Sequence, residues 1–261
     1  MTQKMAQELD TAERGVELVQ LARLRRGCYR LFAALFLYPQ RDRLNALVLA
    51  AEEFEKNERE GLTAFAFWIP WRRLSSALCG LAGGDPSDVE GRYFELFESR
   101  PGNARCRPYE SSYVDPHGKS GGRIAAQLRR EYALAGVKLS ESTRELPDHI
   151  AVELEFLAFL CGREAKAWED EALEDGILAL KRARAFLREH ISRWLPRFAT
   201  EVSAADEGGA YALGAKAVNA FVHYDQDVLD LLLERFQSSE PPGVAERSCC
   251  HSGAPLSEVR T

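Results

Sequence analysis

The chain has 261 residues, of which 46% are hydrophobic and 28% charged, and its formal net charge is -6. This balance excludes a disordered or fibrous chain and leaves room for one large core or two small ones. The negative averaged field repels phosphate backbones, so it argues against nucleic acid as a partner and for a basic peptide.

In chain order, Met1 to Thr11 is polar and contains acids, whereas a secretory signal needs a basic start leading directly into an apolar run. From there apolar residues recur at intervals of three and four, the period of helices facing a core, and no run alternates with the period of two that a half-buried strand requires. A first helix is predicted from Ala12 to Tyr38, stopped by Pro39. Inside it Arg25-Arg26 precedes the mostly apolar Gly27 to Tyr38, superficially like a twin-arginine export signal. Arg30 interrupts that run and no small-residue cleavage site follows, so an internal amphipathic helix is the reading. A second helix is expected from Arg41 to Arg59, and a third from Leu62 to Leu81, kinked or split near Pro70. Gly83-Gly84-Asp85-Pro86 reads as a turn before a short helix through Val89, Tyr93, Leu96 and Phe97.

Glu98 to Tyr109 is irregular, with Pro101-Gly102-Asn103 as a turn, and is expected to form a mobile central loop. Ile124 to Gly136 is helical again, with Gly136 as its carboxy-terminal cap. The stretch from Pro147 to Trp168 is the most apolar in the chain. Ile150, Val152, Leu154, Phe156, Leu157, Phe159 and Leu160 leave little of its circumference polar, which predicts a central helix buried on several sides. Leu173 to Trp194, with Pro196 after its end, and Gly209 to Phe236 complete the helices. No internal repeat or linker divides them, so one all-α bundle over residues 1–237 is expected, followed by a disordered tail at 238–261. The longest uncharged runs, Leu31 to Gln40 and Gly61 to Trp71, are well short of the roughly 20 residues of a spanning helix.

Two constellations could carry function. In Tyr93-Phe94-Glu95-Leu96-Phe97 the residues Tyr93, Leu96 and Phe97 share one helical face, with Tyr109 and Tyr113 across the loop. Core packing explains the face, and so does a groove lined where the helix runs into the loop. In Glu145-Leu146-Pro147-Asp148-His149, Pro147 reads as the first helical position, and Asp148 in the first turn complements the helix dipole. The same dipole keeps His149 neutral. Asp148, His149 and Glu153 on adjacent turns suggest a metal, but no second carboxylate-histidine set faces them. His117, His190 and His223 show no mutual pattern, and Cys249-Cys250-His251 offers only consecutive donors. The six cysteines contain no C-x-x-C pair and fit a reducing compartment. There is no G-x-S-x-G, phosphate-cradling loop or G-x-G-x-x-G.

Together, Tyr93-Phe94-Glu95-Leu96-Phe97, Pro108-Tyr109-Glu110-Ser111-Ser112-Tyr113 and Glu145 to Phe156 resemble the TorD/DmsD/NarJ family of redox-enzyme maturation chaperones. Tyr29-Arg30-Leu31-Phe32 and Phe186-Leu187-Arg188-Glu189-His190 also fit its layout. The resemblance implies an all-helical cytoplasmic chaperone, without catalytic activity, cofactor or metal of its own. Its partner would be the catalytic subunit of a molybdopterin oxidoreductase, held by its twin-arginine signal or its unfinished body until the cofactor is loaded. It also implies a recognition surface of Tyr93, Leu96, Phe97, Tyr109, Glu110, Tyr113, Pro147, Asp148, His149 and Glu153. Glu110 and Asp148 would meet arginine at the edge of an aromatic trough, where the central loop meets the Pro147 helix. A metal- or nucleotide-dependent enzyme on a helical scaffold is the alternative.

Overall fold

The structure, a computed structural model, describes residues 2–63, 68–82, 85–98, 106–115, 121–139 and 145–238. Among these every regular element is helical, as the three-and-four periodicity implies: α1 (Thr2–Leu35), α2 (Arg41–Thr63), α3 (Trp68–Ala82), α4 (Pro86–Tyr93), π1 (Phe94–Glu98), α5 (Glu110–Val114), α6 (Gly121–Leu134), α7 (Ile150–Glu169), α8 (Leu173–Phe186), π2 (Leu187–Ile191), α9 (Ser192–Ala205) and α10 (Ala210–Ser238). Of the expected central loop, residues 99–105 lie outside the described residues, as do 239–261 of the expected tail.

Local chemistry explains most boundaries. Asp85 caps α4 by accepting the Ser87 N–H at 3.0 Å, and Pro86 follows at the first helical position, where no N–H is needed. Gly136, at φ 82°, ends α6 in the left-handed region, and Val137 N–H closes the turn on the Tyr132 carbonyl at 2.8 Å. Pro70 falls in the first turn of α3, where a helix needs no N–H donor, and residues 64–67 before it lie outside the described residues. Several boundaries differ from the sequence reading: α1 starts at Thr2 and not at Ala12, and α2 runs on to Thr63. The predicted Leu173–Trp194 helix is two helices joined by π2, and Pro196 sits inside α9 instead of after a helix end. The proline is tolerated because the bond it cannot make would run to Ser192, the first residue after the π-turn. The five-residue α5 was not predicted, since it follows the breaker Pro108 closely and is too short to show a period.

α7 is the central helix. It packs most extensively against α1 and next against α8, while α10 packs on α9, α3 and α8. Ile150, Leu154, Leu157 and Cys161 are fully buried, and each large apolar side chain so buried stabilises the fold by about 1.5–3 kcal/mol. Helices also approach closely where side chains vanish: a β-carbon on Gly214 of α10 would collide with Leu35 of α1.

Through this apolar packing runs a buried ionic clamp. Arg25 of α1, fully buried, donates to Asp225 of α10 and to Glu164 of α7 at 2.5 Å, and the Tyr29 hydroxyl donates to Asp225 at 2.6 Å. Its neighbour Arg26 is exposed. Removing one partner of such a group strands the others in low dielectric. Arg25→Ala is therefore expected to destabilise the fold by about 3–5 kcal/mol, lowering the thermal midpoint by roughly 10 °C, whereas Arg26→Ala stays within about 0.5 kcal/mol. Thermal melts of both variants followed by circular dichroism check this.

Candidate functional site

Three segments far apart in sequence meet at the amino-terminal end of α7. Tyr109 and His149 form an isolated antiparallel bridge, in which Glu110 N–H donates to the Asp148 carbonyl and Ile150 N–H to the Pro108 carbonyl, both at 2.9 Å. Proline lacks a donor but keeps its acceptor, and the site uses both prolines that way: Pro147 accepts the Tyr132 hydroxyl at 2.8 Å.

This bridge shifts the start of α7. The helix begins at Ile150 and not at Pro147, with Pro147 and Asp148 in a turn closed by His149 N–H on the Leu146 carbonyl at 3.0 Å. His149 is the N-cap, its Nδ1 accepting the Ala151 N–H at 3.1 Å. A nitrogen that accepts carries no proton, so the single ring proton sits on Nε2 and the ring is neutral. Burial drives its pKa down to about 3. The neutrality expected from the helix dipole is therefore produced mainly by desolvation. Asp148 serves α5 instead of α7: Oδ2 accepts the Ser111 N–H at 3.3 Å, because the bridge sets it beside Glu110.

Behind the bridge lies a buried polar cluster. The Glu110 carboxylate accepts from His190 Nδ1 at 2.8 Å, and His190 Nε2 faces Glu131 at 3.2 Å. Burial alone would lower the pKa of His190, but the bonds to Glu110 and Glu131 outweigh it and raise it to about 9, so the ring is an imidazolium. Glu153, fully buried, accepts Trp194 Nε1–H at 3.3 Å. Burial and then the charge of Glu110 raise its pKa well above the carboxylate range, so it keeps its proton.

The aromatic residues pack inward as well. The Tyr93 hydroxyl donates to the Phe36 carbonyl at 3.2 Å, and Phe97 stacks on Phe198 with ring centroids 6.1 Å apart. Tyr113 stacks on Trp194 at 5.5 Å and donates to Glu201 at 2.9 Å. Leu96 is fully buried. Of Tyr93, Leu96, Phe97, Tyr109, Glu110, Tyr113, Pro147, Asp148, His149 and Glu153, all but Tyr109 are buried.

The structure thus brings the ten residues together but in the core and not along an open trough. Glu110 in particular is occupied by His190. The open face belongs to their immediate neighbours. Phe94 is 52% exposed and Leu146 53%, and Glu95 and Glu98 are exposed beside them. Glu145, in the same neighbourhood, is half-buried, and burial and then the nearby Glu98 raise its pKa. Tyr109 hydrogen-bonds to Glu145, and its hydroxyl is pushed up to about 12 by burial and by Glu145. The suggested metal set of Asp148, His149 and Glu153 is spent on capping and on Trp194. His190, Glu131 and Trp194 are the residues that sequence reasoning missed. An open hollow of about 460 Å³ lies elsewhere, between α2 and α3, lined by Glu52, Glu55, Arg72 and Cys79 among others. Among the described residues no helix is long and apolar enough to cross a membrane.

The family model described as Nitrate reductase delta subunit matches residues 66–200, a stretch that contains all ten residues. The selenate reductase assembly chaperone protein of Thauera selenatis is 36% identical over 156 residues, 58% of this chain and 76% of its own length. The chlorate reductase assembly chaperone protein of Ideonella dechloratans is 36% identical over 137 residues, 52% of this chain and 68% of its own length. The chaperone protein TorD of Vibrio cholerae is 35% identical over 127 residues, 49% of this chain and 56% of its own length, so the likeness spans little more than half of TorD.

The neutral cap has a consequence for acid stability. The folded state holds His149 at about 3 while an unfolded histidine titrates near 6.5. Between those values the unfolded chain binds the extra proton, so this contribution is complete above about pH 6.5 and is lost as pH falls towards 3, by at most about 1.4 kcal/mol per pH unit. His149→Asn keeps a capping oxygen and removes the titration. Urea midpoints measured from pH 7.5 to 4.5 are expected to fall more steeply for the wild type than for the variant.

Proposed function

The chain belongs to the nitrate reductase delta subunit family, among the TorD-like reductase maturation chaperones, and from that premise we propose that it holds the catalytic subunit of a molybdopterin oxidoreductase in the cytoplasm until its cofactor is loaded. The contact proposed is the partner's twin-arginine signal, its apo form, or both. The observation that carries this reading is the division of labour at the start of α7. The nine buried residues brace the site, and around it Phe94, Leu146 and the half-open ring of Tyr109 are accessible, as are Glu95, Glu98 and the half-buried Glu145.

Such a face suits a segment in which two guanidinium groups adjoin an apolar stretch. Exposed carboxylates accept charge-assisted bonds from arginine, and the apolar side chains bury the rest. Burial and then the charge of Glu98 raise the pKa of Glu145, and a bound cation relieves that repulsion. On this reading the buried residues shape the surface, and Tyr109 is the one of the ten that touches the partner.

Calorimetric titration with the signal peptide of a neighbouring molybdoenzyme, and with a double Arg→Gln version, tests the proposal. The native peptide is expected to bind, and Arg→Gln replacement or Glu98→Gln/Glu145→Gln to weaken it at least ~10-fold, with the circular dichroism of the variant unchanged. Phe94→Ser/Leu146→Ser is expected to do the same through lost apolar contact. Equal heats from both peptides would remove the charge recognition, and no heat from either would remove the signal peptide as the contact.

A further inference from the structure

We propose that Glu131, Glu189 and His190 form a binding site for one divalent transition-metal cation, with Glu110 as the group that orients the histidine. Among the described residues these three side chains present one donor atom each within 4.8 Å of one another. They come from two elements, α6 for Glu131 and π2 for the other pair. Glu189 and His190 are consecutive, and on a regular α-helix consecutive side chains project about 100° apart. In the π-turn their donor atoms lie within 4.8 Å of each other, and such turns occur disproportionately at functional sites.

The spacing suits an ion. Zinc bonded to nitrogen and oxygen at about 2.0–2.2 Å in a tetrahedron sets its donors roughly 3.4 Å apart. His190 Nε2 and Glu131 Oε1 stand 3.2 Å apart, and Glu189 is an exposed, flexible side chain that can close the remaining gap. The other nitrogen, Nδ1, is 2.8 Å from the buried carboxylate of Glu110. A carboxylate behind a ligating histidine is the common outer arrangement of metal sites, because it fixes the ring and makes the free nitrogen a better donor. Glu110 is only 1% exposed, so this support is built into the core.

Binding is a simple exchange. The Nε2–H bond breaks, its proton leaves to solvent, and the nitrogen lone pair forms the bond to the cation, while the Nδ1 proton stays with Glu110. Two carboxylates and a neutral imidazole leave a fourth position open to water or to a donor from a bound polypeptide. The ligand types favour zinc, cobalt or manganese over the thiolate-seeking ions.

The test uses the full chain, stripped of metal with a chelator, titrated with Zn²⁺ by calorimetry and with Co²⁺ by visible absorption. One ion per chain is expected, with Co²⁺ showing ligand-field bands and no sulfur-to-cobalt charge transfer. Glu131→Gln/Glu189→Gln, at positions that are half-buried and exposed, is expected to lose at least ~10-fold in affinity with its helical spectrum intact, and Glu110→Gln to lose ~10–100-fold. The proposal is overturned if the wild type binds no ion, or if Glu131→Gln/Glu189→Gln binds as the wild type does. It is overturned equally if all binding carries thiolate charge transfer and disappears in Cys249→Ser/Cys250→Ser.

Discussion

A carboxylate buried at the junction of four helical segments has to be neutralised, and most of the geometry around the start of α7 follows from that. Glu110 cannot reach solvent, so it takes the imidazolium of His190 from π2, and His190 in turn draws Glu131 from α6. Two further groups nearby avoid charge. Glu153 keeps its proton beside Trp194, and His149 gives up its second one to become a helix cap. Charge is thus confined here to His190 and its two carboxylates, and each neutral group still spends a polar atom on the fold.

That settlement decides which side chains face outward. With Tyr93, Leu96 and Phe97 packed against Phe36, Phe198 and Tyr211, the opposite side of π1 must show Phe94 and Glu95 to solvent. With His149 tied to Tyr109, Leu146 and Glu145 are held at the rim. A rigid interior therefore supports a surface of mixed oil and acid, whose members need not resemble one another between related chains so long as the frame is kept. The selenate reductase assembly chaperone of Thauera selenatis and the chlorate reductase assembly chaperone of Ideonella dechloratans are similar to this chain over 156 and 137 residues although they are named for different reductases.

The helices were legible because their signal is local. Leu154, Leu157 and Cys161 repeat at three and four, Asp85-Pro86 opens a helix and Gly136 closes one, and each of these can be read within a single turn. The motif segments were legible as a set, since the resemblance rests on short ordered strings. What could not be read was the direction of those side chains and their partners. His190 meets Glu110 across 80 residues and Glu131 across 59, and Arg25 meets Asp225 across 200, separations at which periodicity carries no information. The assumption that acidic and aromatic residues at a motif line a groove also failed for a physical reason: Glu110 has a cation inside the molecule, and the aromatic residues have one another.

The arginine pair in α1 has a further meaning. On the folded molecule Arg25 is locked between Asp225 and Glu164, and only Arg26 is on display. A receptor that needs two adjacent guanidinium groups would find half of its target in this pair. Completion of the core thus withdraws one arginine of Arg25-Arg26, whereas Arg72-Arg73 and Arg129-Arg130 stay exposed on the folded molecule.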